Sequence, residues 1–329
     1  MASIRNRGGK WQARVNRKGH APVTKSFISK QDAEKWARSL ETEMDRGVYF
    51  NTTLAQKTTF AELVSRYVKF VTPTMRSAKE DTFRLNALLR NPICSLNMTE
   101  LTSQKIAAYR DDRLKMVTAG TVIRELCYFS SIINYARREW ELNITNPVTL
   151  VRKPSMPKGR DRILNDEEKN RLLVALAATK SNRRNPYMKP IVELALETAM
   201  RRGELLSLLW VNVDLGRRIA YLPITKNGES RTVPLSTTAL QILSQLPISI
   251  DGRVFPINNF AVAAAFMKAT KRALIDDFHF HDLRHMAITK MAGKLSNVLE
   301  LSAVSGHKTL SMLKRYTHFN AEDLAKKLG

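Results

Sequence analysis

Four stretches in the second half of the chain carry side chains suited to work on an anion. In Thr198-Ala199-Met200-Arg201-Arg202-Gly203-Glu204, an apolar run (Ile191, Val192, Leu194, Ala195, Leu196) leads straight into two arginines. An arginine at the edge of a buried helix is costly unless it is paired or faces an anion. Glu204 stands where it can hold Arg201 by a carboxylate fork. Between Tyr221 and Leu235, Asn227-Gly228 separates two strand-like runs, a hairpin signal that puts Lys226 beside the tip. In Phe278-His279-Phe280-His281-Asp282-Leu283-Arg284-His285, helical spacing puts His281, Arg284 and His285 on one face. A guanidinium between two imidazoles suits a phosphate. It does not suit a metal, because Arg284 lies among the ligands, and His279 and His281 do not converge on a helix; no metal is expected. The last stretch is Ser305-Gly306-His307, followed nine residues after the histidine by Tyr316. A phenol with a pKa of about 10 is about one part in a thousand ionised at neutral pH, so nearby cations would both ease its ionisation and bind a phosphate.

Each stretch has a purely structural reading when taken alone. Arg201 and Glu204 could be an internal ion pair, Lys226 a solubilising hairpin lysine, and Tyr316 a half-buried packing residue. Together they describe a nucleophile inside a cage of fixed cations and imidazoles.

The chain must then supply elements that bring these stretches together, on a scaffold made for a polyanion. Its 329 residues contain 54 Lys and Arg against 30 Asp and Glu, a formal charge of +24. Such an excess costs self-repulsion in the compact state and calls for a polyanionic partner. Residues 1–30 hold Arg5, Arg7, Lys10, Arg14, Arg17, Lys18, Lys25 and Lys30 and no acid. Bases spread along every segment favour a long track over a single membrane-binding patch, and no aromatic platform of the RNA-recognition type is apparent. No apolar run approaches the roughly 20 residues of a membrane-spanning helix. Met-Ala-Ser-Ile-Arg-Asn-Arg lacks the apolar region of a secretory signal. Cys94 and Cys127 are the only cysteines, too few for a disulfide framework or a four-cysteine zinc site, so a cytoplasmic setting is expected.

The expected fold class is multidomain and mainly α with a small β component. Residues 1–56 read as a small α+β module. Trp11, Ala13 and Val15 alternate on a strand, and Ala33, Trp36, Ala37 and Leu40 follow helical spacing. Residues 58–151 read as all helix. They open on the capping box Thr59-x-x-Glu62 and close on a helix over about 119–139. Its expected apolar stripe is Val122, Ile123, Leu126, Cys127, Ile132, Ile133 and Ala136, with Cys127 in the core. Residues 152–162 form a basic linker with Arg152, Lys153, Lys158, Arg160 and Arg162. Residues 163–329 form an α+β domain. Helices are expected near 165–179, 188–200, 202 onward, 234–246, 258–273, 281–293 and 296–304, with two strands before the fourth.

The order Arg, Lys, His-x-x-Arg, His, Tyr resembles the tyrosine recombinases, the phage integrase family, over residues of about 58–325. On that resemblance Arg201, Lys226, His281, Arg284, His307 and Tyr316 are the catalytic six, with Glu204 and His285 in support. The pattern's Thr-Gly-x-Arg appears with Ala199 for glycine, and its Leu-Gly-His with Ser305 for leucine. Residues 1–56 are similar to the arm-site-binding module of lambda-type integrases, which makes Arg5, Arg7, Lys10, Arg14, Arg17 and Lys18 DNA-binding candidates beside the linker bases. The layout is also similar to shufflon-type DNA invertases. The resemblance implies a SAM-like helical core-binding domain and a catalytic domain that cuts DNA through a 3′-phosphotyrosine, with neither metal nor ATP nor other cofactor. The implied partners are double-stranded recombination sites, a homo-tetramer of two synapsed dimers passing through a Holliday junction, and an accessory DNA-bending protein. The action is expected in the cytoplasm, on the nucleoid. A tail stripe of Ala321, Leu324, Ala325 and Leu328 would pack on a neighbouring protomer. Two other readings are a type IB topoisomerase and a DNA-binding regulator without chemistry.

Overall fold

The computed structural model describes residues 2–316 apart from 19, 21, 47–52, 158, 180–183, 225–227 and 296. Lys226, Asn227, Lys158 and the apolar stripe of the tail lie outside the described residues. The chain divides into two compact units, Met1–Lys158 and Gly159–Gly329. Both are mainly helical, each with one small sheet in the described residues.

The first unit begins with the antiparallel strands β1 (Ser3–Arg7), β2 (Lys10–Val15) and β3 (Val23–Phe27). Gly8 and Gly9 join the first two with φ of +55° and +81°, the backbone that a two-residue primed turn demands and that glycine adopts freely. Helix α1 (Lys30–Asp45), capped by Ser29, lays Ala33, Ala37, Leu40 and Met44 on Ala13 and Val15. The register sets Ser3 opposite Arg14, Arg5 opposite Gln12, and Arg7 opposite Lys10. Because side chains alternate across a sheet, Arg5, Arg7, Lys10 and Arg14 share the face away from the helix, and all four are exposed.

The same unit continues through α2 (Thr53–Lys57), α3 (Phe60–Phe70), α4 (Ala78–Leu88), α5 (Ser103–Leu114) and α6 (Ala119–Glu139). The Thr59 and Glu62 side chains cap α3 reciprocally. Phe60 of α3 stacks on Phe129 of α6 with ring centroids 4.6 Å apart, at the centre of a second apolar core. Cys127 is a correction: it is exposed, while Cys94 is buried. The inward stripe of α6 runs Val122, Leu126, Phe129, Ile133, Ala136, and Cys127 falls one step, about 100°, off Leu126.

The second unit holds α7 (Asp166–Leu176), α8 (Met188–Thr198), α9 (Arg202–Leu206), the sheet β4 (Val213–Asp214), β5 (Ile219–Leu222) and β6 (Arg231–Pro234), then α10 (Thr237–Ser244), α11 (Asn259–Arg272), α12 (Phe280–Ala292) and α13 (Val298–Ser305). The sheet has three strands where the pattern suggested two, because the two-residue β4 is too short to show an alternation. Its main core gathers Ile191, Val192, Leu194 and Ala195 of α8 with Phe266 of α11 and Leu283 of α12. A smaller cluster of Ala199, Ala287, Ile288, Leu301 and Leu313 joins the ends of α8 and α13 to α12, and Tyr316 packs against it. The chemistry-bearing stretches meet around that cluster.

Candidate active site

Helix α8 ends at Ala199, whose φ of +53° and ψ of 18° are left-handed. The turn redirects the chain so that Arg201 stands at the N-cap of α9. A glycine, as in the resembled pattern, would take this backbone without strain; the alanine accepts it while fully buried. Arg201 donates from Nη1 to Glu204 Oε1 and from its backbone nitrogen to Glu204 Oε2, both at 2.8 Å. The pair is therefore present, but as one guanidinium bond and one backbone bond, not as a two-pronged guanidinium fork. The same carboxylate, 5% exposed, also accepts from Arg231 Nη2 at 2.8 Å. Arg231 was not foreseen. Its available signal was the strand alternation that turns it inward with Val233.

Arg284 is the most deeply placed cation of the site, with 4% of its surface exposed. It donates to the carbonyls of Ala199 and Ser305, and so pins the ends of α8 and α13 to α12. Burial, then the charges of Arg201 and Arg231, push its pKa down to about 9, which leaves it charged at neutral pH. A guanidinium has five N–H donors, so the two carbonyls leave others for a phosphate.

His307 follows Gly306, the left-handed cap of α13 at φ +67°. Ser305 Oγ lies 2.7 Å from His307 Nδ1. Burial, reinforced by Arg284, Arg201 and Arg231, pushes the imidazole pKa down to about 4. A neutral imidazole has one donor and one acceptor nitrogen, and a serine hydroxyl donating to Nδ1 leaves the proton on Nε2 for an anion. Ser305, expected to be a minor departure, thus holds the histidine directly.

Tyr316 lies in a short turn, Lys314–Tyr316. Its hydroxyl meets His285 Nδ1, and the two rings stack with centroids 5.9 Å apart. The His307 ring is 6.5 Å from the phenol ring. His281 stands one turn earlier on α12, exposed and edge-on to His285 at 5.1 Å. Arg201, Glu204, Arg284, His285, His307 and Tyr316 thus come together on one chain. The imidazole against the phenol is that of His285, expected only in support, and not His281. The loop of Lys226 springs from Leu222 and Arg231, which are paired across β5 and β6.

Among the expected DNA contacts, Arg5, Arg7, Lys10, Arg14, Lys18, Arg152 and Lys153 are exposed. Three others are partly exposed and are also engaged by carboxylates of the chain itself. Arg17 pairs with Asp45 at 2.9 Å. Arg160 forks the buried Asp282, beside His281, and pairs with Asp277 at 2.8 Å. Arg162 bonds Glu168, the capping residue of α7. Among the described residues no helix is long and apolar enough to cross a membrane, and no group of three His, Cys, Asp or Glu is placed to hold a metal.

Residues 162–323 match the model of the phage integrase family. The shufflon-specific DNA recombinase of Escherichia coli is 43% identical over 83% of this chain and 72% of its own length. A Haemophilus influenzae protein described as a putative integrase/recombinase is 35% identical over 99% of this chain and 89% of its own. Among solved structures, a lambda integrase tetramer bound to a Holliday junction matches 96% of this chain and 94% of its own, with TM-score 0.65 and 21% identity. The Tn1549 transposon integrase with circular intermediate DNA matches 83% of this chain and 99% of its own, with TM-score 0.66 and 16% identity.

Proposed function

The chain belongs to the phage integrase family and is a site-specific tyrosine recombinase, and from that premise we propose how its residues divide the reaction. Tyr316 Oη attacks the scissile phosphorus. The P–O bond to the 5′-oxygen breaks, and a 3′-phosphotyrosine and a free 5′-hydroxyl result. His285 takes the phenolic proton, with His281 beside it, and Lys226 gives a proton to the departing 5′-oxygen. Arg201 and Arg284 neutralise the charge that gathers on the non-bridging oxygens, and His307 donates a further hydrogen bond. The ester conserves the energy of the broken bond, so a 5′-hydroxyl from the partner strand can reverse the step without ATP.

The observation that carries this reading is the Tyr316 hydroxyl against His285 within a ring of Arg201, Arg284 and His307 on the same chain. Two rounds of exchange need paired sites, so we propose a tetramer of two DNA-bound dimers passing through a Holliday junction, as in the lambda integrase complex. The open sheet face with Arg5, Arg7, Lys10 and Arg14 binds DNA outside the crossover site. Lys18 and Arg17 of the same module, and the linker bases Arg152, Lys153, Lys158, Arg160 and Arg162, hold the DNA backbone. The protein acts in the cytoplasm on the nucleoid, with an accessory bending protein. Inversion is the favoured outcome, because the 43% identical relative is a shufflon recombinase; integration or excision is the second reading, supported by the 35% identical integrase/recombinase relative.

Sequencing the DNA recovered covalently attached to the protein tests this. A single defined site joined through its 3′-phosphate is expected, and plasmids carrying two such sites in opposite orientation should invert. Random attachment, with relaxation of supercoils and no exchange between sites, would favour a topoisomerase. No attachment would leave a regulator.

A further inference from the structure

Arg231 is a buried guanidinium to which the reaction above gives no part. It opens β6 at the foot of the loop that carries Lys226, and its side chain is 9% exposed. Nη2 bonds Glu204 at 2.8 Å, while Nε and Nη1 are shut off from solvent with no hydrogen-bond partner among the described residues. Buried donors are almost always satisfied, so two such N–H groups on one guanidinium call for an explanation. The neighbouring turn gives the reason for its position. A Cβ on Gly306 would lie 2.1 Å from Arg231 Nη1 and 3.0 Å from Cδ, so the guanidinium fills space that any other residue at 306 would need. The next residue is His307. A second strap runs alongside, from Lys308 Nζ to Glu229 Oε1 at 2.8 Å.

We propose that Arg231 is a positioning residue of the phosphate cage, which holds Arg201 through their shared carboxylate and the His307 turn through Gly306. The inference rests on the reading of Arg201 and His307 as phosphate-binding groups. With Arg231 in place, Glu204 divides its charge between two guanidinium groups, and Arg201 keeps a net pull on a phosphate. Without it, the whole carboxylate charge falls on Arg201, and the Gly306–His307 turn loses the wall it leans on. Shielded from solvent, Nε and Nη1 do not reach DNA, so the effect passes through Arg201 and His307.

The test is single-turnover cleavage of a nicked suicide duplex by the full chain, with either a normal phosphodiester or a neutral methylphosphonate at the scissile position. Arg231→Met should cleave the phosphodiester about 10²-fold more slowly, the scale of a lost oxyanion contact. Its DNA affinity should stay within about threefold of the unmutated chain, and on the methylphosphonate its deficit should shrink to about threefold or less, because the charge that Arg201 neutralises has gone. Arg231→Lys should recover part of the rate by giving Glu204 a cation. Gly306→Ala should reproduce the defect by pushing the guanidinium aside, and with Arg231→Lys it carries the comparison if Arg231→Met does not fold. An unchanged phosphodiester rate, or equal deficits on both substrates, overturns the inference. An unmutated chain that forms no adduct overturns the parent reading, and this inference with it.

Discussion

Ser305 Oγ lies 2.7 Å from His307 Nδ1, within the turn that closes α13, and the carbonyl of the same serine accepts from Arg284. One fully buried residue therefore fixes both the imidazole and the guanidinium. Ser305→Ala removes the hydroxyl and leaves the carbonyl. Cleavage of a suicide duplex should slow by about two- to tenfold, the worth of one ordinary hydrogen bond. DNA affinity should not change. An unaltered cleavage rate would show that the hydroxyl does not orient His307.

The depressed pKa of His307 makes stability depend on pH in a stated direction. Folding lowers it from 6.5 to about 4, mainly through burial. Between those values the unfolded chain binds a proton that the folded chain does not, so stability rises with pH across this window and is level above it. The urea midpoint should be lower at about pH 5 than at about pH 7.5, and His307→Asn should flatten part of that difference. A midpoint that rises on acidification would contradict the neutral histidine.

The two imidazoles of α12 should not be equivalent. His285 meets the phenol and His281 stands behind it. If His285 takes the proton, His285→Asn should slow cleavage by about 10²-fold or more, the scale of general-base catalysis. His281→Asn should cost less. The reverse order would return the proton to His281.

The cysteines offer a check on the helical core of the first unit. Cys94 is buried, its thiol pushed up to about 11 by desolvation, while Cys127 is exposed. Alkylation of the folded protein should modify Cys127 and spare Cys94 until denaturant is added. Mass spectrometry of the labelled peptides reads the result. Modification of both at once would contradict the burial of Cys94 in the core of the first unit.

Much of this was legible in the sequence, because chemistry and periodicity are local signals. The capping box at Thr59 and Glu62 and the Arg201–Glu204 ion pair both follow from a spacing of three residues. What was not legible depended on how distant segments meet. The pattern puts Cys127 in the core because a broad stripe on a long helix does not show its true centre; Phe129 takes the inward place, stacked on Phe60. His285 and His281 share a face in the sequence, and the position of Tyr316 chose between them. Arg160 and Arg162 read as free bases in a basic linker, but their carboxylate partners lie elsewhere in the sequence or beneath a helix cap. Arg231 was invisible for the same reason: its meaning lies in Glu204 and Gly306, neither of them near it in sequence.

The most direct measurement of the central claim is mass-spectrometric mapping of the residue esterified to DNA after reaction with a nicked suicide duplex, in the unmutated chain and in Tyr316→Phe. A 3′-phosphate on Tyr316 is expected, with a Tyr316→Phe protein that still binds the duplex but traps no adduct. A covalent complex formed by Tyr316→Phe, or an ester mapped to any other side chain, would contradict it.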